Sequence, residues 1–257
     1  MHSGAGSGPA AEPTAPSARG AASSPTADDA PAGEPGGPPA HGPSGRPGGG
    51  HERRGLEFER VVFFSDAVFA IAITLLALEI RVPELEPPAG DALAGALLDL
   101  IPGIAAYALS FLVIALFWMG HHRIFHFIVD YDYRLAWRNL FFLLGVAFIP
   151  VPTQVIARYG DLPLATMFYA ATQAVVALLE FAVLHYAAGN PQLLRAGTSP
   201  RLAEYVGLRI LAMAAVFGLS MPLALLNPSA AQLSWALIPL IQTALSRRYP
   251  DEHRQRE

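Results

Sequence analysis

Cysteine is absent from this 257-residue chain, which excludes disulfides, thiolate nucleophiles and cysteine-held metals. Lysine is absent too: all 17 basic residues are arginine, which reads as compositional bias in an Ala-, Gly- and Pro-rich sequence. Charge of either sign is scarce, at 15% of residues against about 25% in an ordinary globular domain. No basic stripe with interleaved aromatics occurs, so nucleic acid is not an expected partner. Alternating strand patterns are missing as well, which removes a transmembrane barrel.

What remains is apolar. Hydrophobic residues make up 53% of the chain and the mean hydropathy is +0.36, although the first 50 or so residues are mostly Gly, Pro, Ala and Ser. Residues 1–52 cannot bury enough apolar surface to offset their ordering entropy and read as a disordered tail. They lack the apolar core of an export signal. Residues 53–249 read as a membrane domain, and residues 250–257 as a short polar tail.

A helix needs about 20 apolar residues to cross the hydrocarbon core. Six segments qualify: about Val61 to Ile80, Pro102 to Met119 with apolar turns around Leu93 to Leu98 ahead of it, Leu135 to Ile156, Leu164 to Tyr186, Val206 to Leu226, and Ala230 to Leu245. The expected fold is all-α and polytopic, since lipid leaves no partner for an open sheet edge. Pro102, Pro150, Pro152, Pro222 and Pro239 fall inside these segments, where neighbouring helices can satisfy the freed carbonyls.

Arginine placement supplies an orientation. Arg53, Arg54 and Arg60 precede segment one; Arg123, Arg134 and Arg138 lie between two and three. Arg195, Arg201 and Arg209 lie between four and five, and Arg247, Arg248, Arg254 and Arg256 follow six. The alternate loops hold only Arg81 and Arg158, beside Glu84, Glu86, Asp91 and Asp161. With six spans all four basic regions share one face, so both termini are expected in the cytoplasm.

At about 100° per residue, Arg60, Phe64, Ala67, Ile71, Thr74, Leu75 and Leu78 fall on one face of segment one. Asp66 lies about 140° from Ile71, and an ionisable group within a span defaults to a functional or paired role. Being off the stripe, it is expected to bond a donor on a neighbouring helix. The stripe alone does not decide between a pore lining and a packing face, and packing faces are far commoner.

Arg60-x-x-x-Phe64-Ser65-Asp66 resembles the RxxxFSD signature of the transmembrane protein 175 family of potassium channels, found in lysosomes and in bacteria. The following Ala-Val-Phe-Ala-Ile-Ala-Ile-Thr-Leu-Leu, the stretch Trp118-x-x-His121-His122-x-x-Phe125, and Asn139-Leu-Phe-Phe-Leu are similar to that family as well. The resemblance implies a potassium-selective leak-type channel in a bacterial cell membrane. It implies a homotetramer whose first helices line a central pore, with no cofactor and K⁺ as the permeating ion. Carried over by position, the narrowest ring falls on Ile71, the next outward on Thr74, and a further aliphatic ring on Leu78. Arg60, Phe64, Ser65 and Asp66 would belong to a structural network, with Trp118, His121 and His122 as its possible partners. Nothing matches a TVGYG loop, so selectivity from rings of backbone carbonyls has no support.

Two other classes compete. A secondary transporter would use intramembrane carboxylates, for which Asp66 and Glu180 are the candidates, but no inverted repeat is evident. A membrane metalloenzyme would build on His121, His122 and His126, yet His185 is the sole further interior histidine. Trp118, Tyr131, Tyr133 and Trp137 suit an interfacial aromatic belt. The chain is not expected to be an enzyme.

Overall fold

In the computed structural model, which describes residues 49–78, 80 and 90–248, proline marks where helices begin. It lacks an N–H, which costs nothing in a first helical turn whose donors have no partner anyway. Proline occupies one of the first two positions of α3 (Ile101–Phe127), α5 (Pro150–Tyr159), α6 (Pro163–Ala188), α7 (Pro200–Leu226) and α8 (Pro228–Ser234). The other helices are α1 (Gly49–Leu78), α2 (Gly90–Asp99), α4 (Tyr133–Phe148) and α9 (Leu237–Arg248). The polar tails fall outside the described residues, except that α1 already begins at Gly49.

Among the described residues, five helical runs are long and apolar enough to cross a membrane: 55–78, 92–127, 133–159, 163–188 and 200–226. The second joins α2 to α3 through Leu100, so the turns around Leu93 to Leu98 are helical and lead into the span. The third joins α4 to α5 across Ile149, whose backbone stays helical. There Thr153 returns a hydroxyl bond to the Ile149 carbonyl at 2.8 Å. Segment five starts at Pro200 rather than Val206, because Pro200 opens the helix two turns earlier.

The sixth expected segment is not one continuous helix. Pro239 cannot donate to the Trp235 carbonyl and its ring crowds that position, so the chain turns at Trp235 and Ala236 between α8 and α9. The two pieces still return along α7. Trp235 Nε1 donates to Ser220 Oγ at 2.9 Å, and Gln242 Nε2 donates to the Arg209 carbonyl at 3.0 Å. As the numbering rises on one strand of this pair it falls on the other, which is an antiparallel crossing.

Cross-links between loops sort the ends. Ile128 and Leu194 form an isolated antiparallel bridge, with Val129 N–H donating to the Leu193 carbonyl at 2.9 Å, so the α3–α4 and α6–α7 links share one end. Gln232 Nε2 donates to the Gly160 carbonyl at 2.8 Å and to Thr166 Oγ1 at 3.0 Å, which gathers the α5–α6 and α7–α8 turns at the other. The first end carries Arg134, Arg138, Arg195 and Arg201; the second carries Arg158, Asp99 and Asp161.

The core is apolar with a few paired polar groups. Tyr169 stacks on Trp235 at 5.0 Å between ring centroids, and Phe217 meets the same indole at 5.5 Å. Ser110 Oγ lies 3.1 Å from the Tyr169 hydroxyl and 2.8 Å from Thr153 Oγ1, whose own proton goes to the Ile149 carbonyl. The outer surface is apolar as well: Leu112, Leu144, Leu164 and Leu219 are all exposed, as suits lipid contact. The chain is an integral, multi-pass membrane protein.

Asp132 joins two helices at the arginine-rich end. Its Oδ1 caps α4 by accepting from the Leu135 N–H at 2.7 Å, and its Oδ2 accepts from the Tyr186 hydroxyl at 2.5 Å. Burial pushes its carboxyl up. The Tyr186 and Leu135 bonds and the Arg134 charge outweigh that, and the group sits below the ordinary carboxylate value. A depressed acid contributes stability at neutral pH that is lost as pH falls through its lowered value. Asp132→Ala should therefore lower the thermal unfolding midpoint in detergent at pH 7, with a cap loss of about 1 kcal/mol. The gap from wild type should close in acid; an equal gap at every pH would exclude the charge.

Candidate pore wall and the network behind it

Along α1, Ser65, Phe69, Ala72 and Leu76 recur at helical spacing and are all buried. Roughly opposite, centred about 140° away at 100° per residue, lie the stripe residues. Phe64 is 53% exposed, Ile71 58% and Leu78 73%, with Thr74 and Leu75 also exposed between them. Ile71, Thr74 and Leu78 thus share the face of α1 that the subunit's own helices leave uncovered. Thr74 Oγ1 donates to the Ile71 carbonyl at 2.9 Å, which uses its proton within the helix and leaves its lone pairs as acceptors.

The buried face is held by a polar chain. Ser65 Oγ donates to the Val61 carbonyl at 2.9 Å and accepts from Asn139 Nδ2 of α4 at 3.0 Å. Asn139 Oδ1 lies 3.0 Å from His121 Nε2 of α3. Since the amide oxygen only accepts, His121 is the donor and carries its proton on Nε2. Its ring stacks on Phe125 at 4.2 Å and Phe142 at 5.7 Å, and tilts against Phe69 at 5.6 Å. One residue along, Asp66 Oδ1 accepts from Trp118 Nε1 of α3 at 2.9 Å. Adjacent positions of α1 are therefore tied to two different helices.

The remaining signature residues stand apart from this chain within one subunit. Arg60 and Phe64 are exposed and line an open cleft with Tyr131 and Leu140, and the Arg60 side chain makes no hydrogen bond among the described residues. His122 is also exposed, its ring 5.6 Å from that of Trp118. Nor do the histidines converge on a metal: His121 is sealed between rings, His126 is exposed, and among the described residues no group of three or more His, Asp or Glu is placed to hold one.

Asn139 is the residue that sequence reasoning passed over as a site residue. Its signal was present: a lone amide ahead of Leu-Phe-Phe-Leu, in a span where polar groups must find partners. Glu180 of α6 is buried against Gly120 of α3, so closely that a Cβ at Gly120 would collide with Glu180 Oε1. Arg123, Arg209 and Gln242 share its crevice of about 30 Å³.

Replacing Asn139 by alanine strands the His121 Nε2–H in a dry site, at a cost of about 1–3 kcal/mol. Asn139→Ala should lower the thermal unfolding midpoint in detergent more than Trp118→Phe, which removes a bond open to solvent. The reverse ranking would show that Asn139 is not the keystone.

Comparison with known proteins bears on the same residues. Residues 60–150 match the family model described as endosomal/lysosomal potassium channel TMEM175. A potassium channel of Streptomyces collinus is 48% identical over 103 residues, covering 40% of this chain and 49% of that protein. A potassium channel of Chamaesiphon minutus is 43% identical over 103 residues, covering 40% of this chain and 51% of that protein. The chain thus spans about half the length of the curated relatives it matches. The crystal structure of a lysosomal potassium-selective channel TMEM175 homologue from Chamaesiphon minutus superposes with a TM-score of 0.63 at 28% identity, covering 75% of this chain and 98% of that one. Residues 60–150 are thus similar in sequence to the TMEM175 family, and the fold is similar to that of a TMEM175 homologue.

Proposed function

We propose that the protein is the subunit of a potassium-selective, leak-type channel, assembled as a homotetramer in a bacterial cell membrane with both termini cytoplasmic. The observation that carries this reading is the division of α1 into a bonded back and a bare front. Ser65 and Asp66 anchor the back to α4 and α3, while Ile71, Thr74 and Leu78 are left facing outward. Around a fourfold axis these three positions would stack as rings. The likeness to proteins named as potassium channels supports K⁺ as the ion. The arginine-rich end supports the orientation.

In this reading four Ile71 side chains form a neck that resists wetting and gates conduction. Next to it the Thr74 hydroxyls, their protons already given to the Ile71 carbonyls, offer oxygen lone pairs to a cation that has shed part of its water. Leu78 extends the apolar wall outward. No carboxylate lies on the stripe, so selection acts through dehydration and oxygen ligation rather than through a ring of fixed charge.

Ile71→Asn should widen the wetted neck, giving a several-fold larger conductance in planar bilayers and a K⁺/Na⁺ permeability ratio closer to one. Parent values in that variant would remove Ile71 from the constriction. Because the chain has no native cysteine, a single introduced one reports cleanly on assembly. Oxidised Leu78→Cys protein should run as a covalent dimer on a non-reducing gel. Leu76→Cys, whose site is fully buried, should stay monomeric. Equal cross-linking at both positions would refute an axial α1.

A further inference from the structure

A cavity of about 470 Å³ opens at the arginine-rich end, between the last turns of α3 and the link from α6 to α7. We propose that it binds the phosphate headgroup of an anionic phospholipid. Arg123, His122 and His126 come to it from α3 and Arg195 from the link, while no aspartate or glutamate lines it. Ser199 adds a hydroxyl, while the Thr198 hydroxyl donates to the Arg195 carbonyl at 2.7 Å and helps to hold the link in place.

The wall on the link side is built rather than loose. The Arg195 N–H donates to the Phe127 carbonyl at 2.8 Å, which stitches the link to the end of α3. A turn follows, closed by the Thr198 N–H on the Arg195 carbonyl at 3.1 Å, with Gly197 at φ +86° where other residues are strained. The turn delivers Ser199 to the start of α7, where its side chain makes no capping bond and the first helical turn carries no acidic residue. The first N–H groups of α7 therefore add partial positive charge to the same wall.

The flank of the cavity decides for a lipid over a free anion. Trp118 and Met119 line it, are 39% and 38% exposed, and continue into the apolar surface of the second span. A headgroup among the cations would leave its acyl chains along that surface. Basic pockets between spans at the cytoplasmic level are suited to such head groups. A permeating cation is repelled by the same residues. Arg123 also faces the crevice beside Glu180, so Arg195 and His126 are the residues to change.

Native mass spectrometry of the purified full chain, titrated with phosphatidylglycerol, phosphatidylcholine and inorganic phosphate, tests this. Phosphatidylglycerol should be retained in preference to phosphatidylcholine. The Arg195→Gln/His126→Gln double variant should lose about tenfold in its retention. Arg195→Lys should keep it, and so should Arg158→Gln at the opposite end. Inorganic phosphate should displace the lipid only in large excess. Equal retention of the two lipids, or wild-type retention by the double variant, would overturn the site. Phosphate binding as tight as the lipid would overturn the lipid as its source. Should the double variant instead lose its oligomeric state on size exclusion, the cavity is a contact between copies and the proposal fails.

Discussion

Among helices immersed in lipid, apolar faces pack against one another almost interchangeably, so the rotation of each helix about its own axis is set by its few polar groups. For α1 that setting comes from the Asn139 amide. It accepts from His121 on one side and donates to Ser65 on the other, drawing three helices to one buried point. Turning α1 by one residue would carry Ser65 about 100° away and leave the amide unpaired where no water can replace it. Asp66, bonded to Trp118 from the next position, applies a second constraint in a different direction. Two bonds at adjacent positions, made to different helices, fix an angle that one bond would leave free.

Everything on the front of α1 inherits that angle. Among the described residues Ile71, Thr74 and Leu78 make no side-chain bond to another helix, yet their direction is determined because the opposite face is pinned. In the proposed channel this would separate two demands that otherwise conflict. A surface that faces a moving ion needs weak and similar contacts along its length, whereas a surface that holds a helix needs strong and specific ones. The packed face meets the second demand with rings as well as hydrogen bonds: Phe69 touches both His121 and Phe142, so the aromatic cluster and the polar chain enforce the same orientation.

Much of this was legible in the residues. The stripe followed from helical pitch, the spans from hydropathy, and the segregation of arginine from alternation of the loops. Asp66 could be placed off the stripe by arithmetic, whereas Trp118 came forward as a possible partner of its network only through the family resemblance, since the two lie 52 residues apart and no periodicity links them. Asn139 was hidden for the same reason, 74 residues from Ser65. Arg60 and Phe64 sit beside Ser65 and Asp66 in the signature yet lie outside their bonds in the single subunit, because pitch turns them toward the uncovered side. The sixth segment was legible in its average but its break was not: hydropathy sums over α8 and α9 alike, while Pro239 acts on one carbonyl. Composition is blind to that.

The broken sixth passage has its own physical logic. A break inside a span exposes backbone groups, and these are tolerable only where protein satisfies them. Here the turn at Trp235 and Ala236 is backed by α7 and α6, and the Trp235 indole is buried among Ser220, Phe217 and Tyr169. The ring supplies its own N–H with a partner and shields the turn with its apolar faces. Trp235 therefore does for the last passage what Asn139 does for the first: each spends one buried polar group to define a geometry that apolar packing would leave loose. The difference lies in what is fixed. Asn139 fixes the angle of a continuous helix, whereas Trp235 fixes the place where a helix is interrupted. The outward face of α1 is accordingly set at a distance from the interruption, by helices that carry no such break beside it.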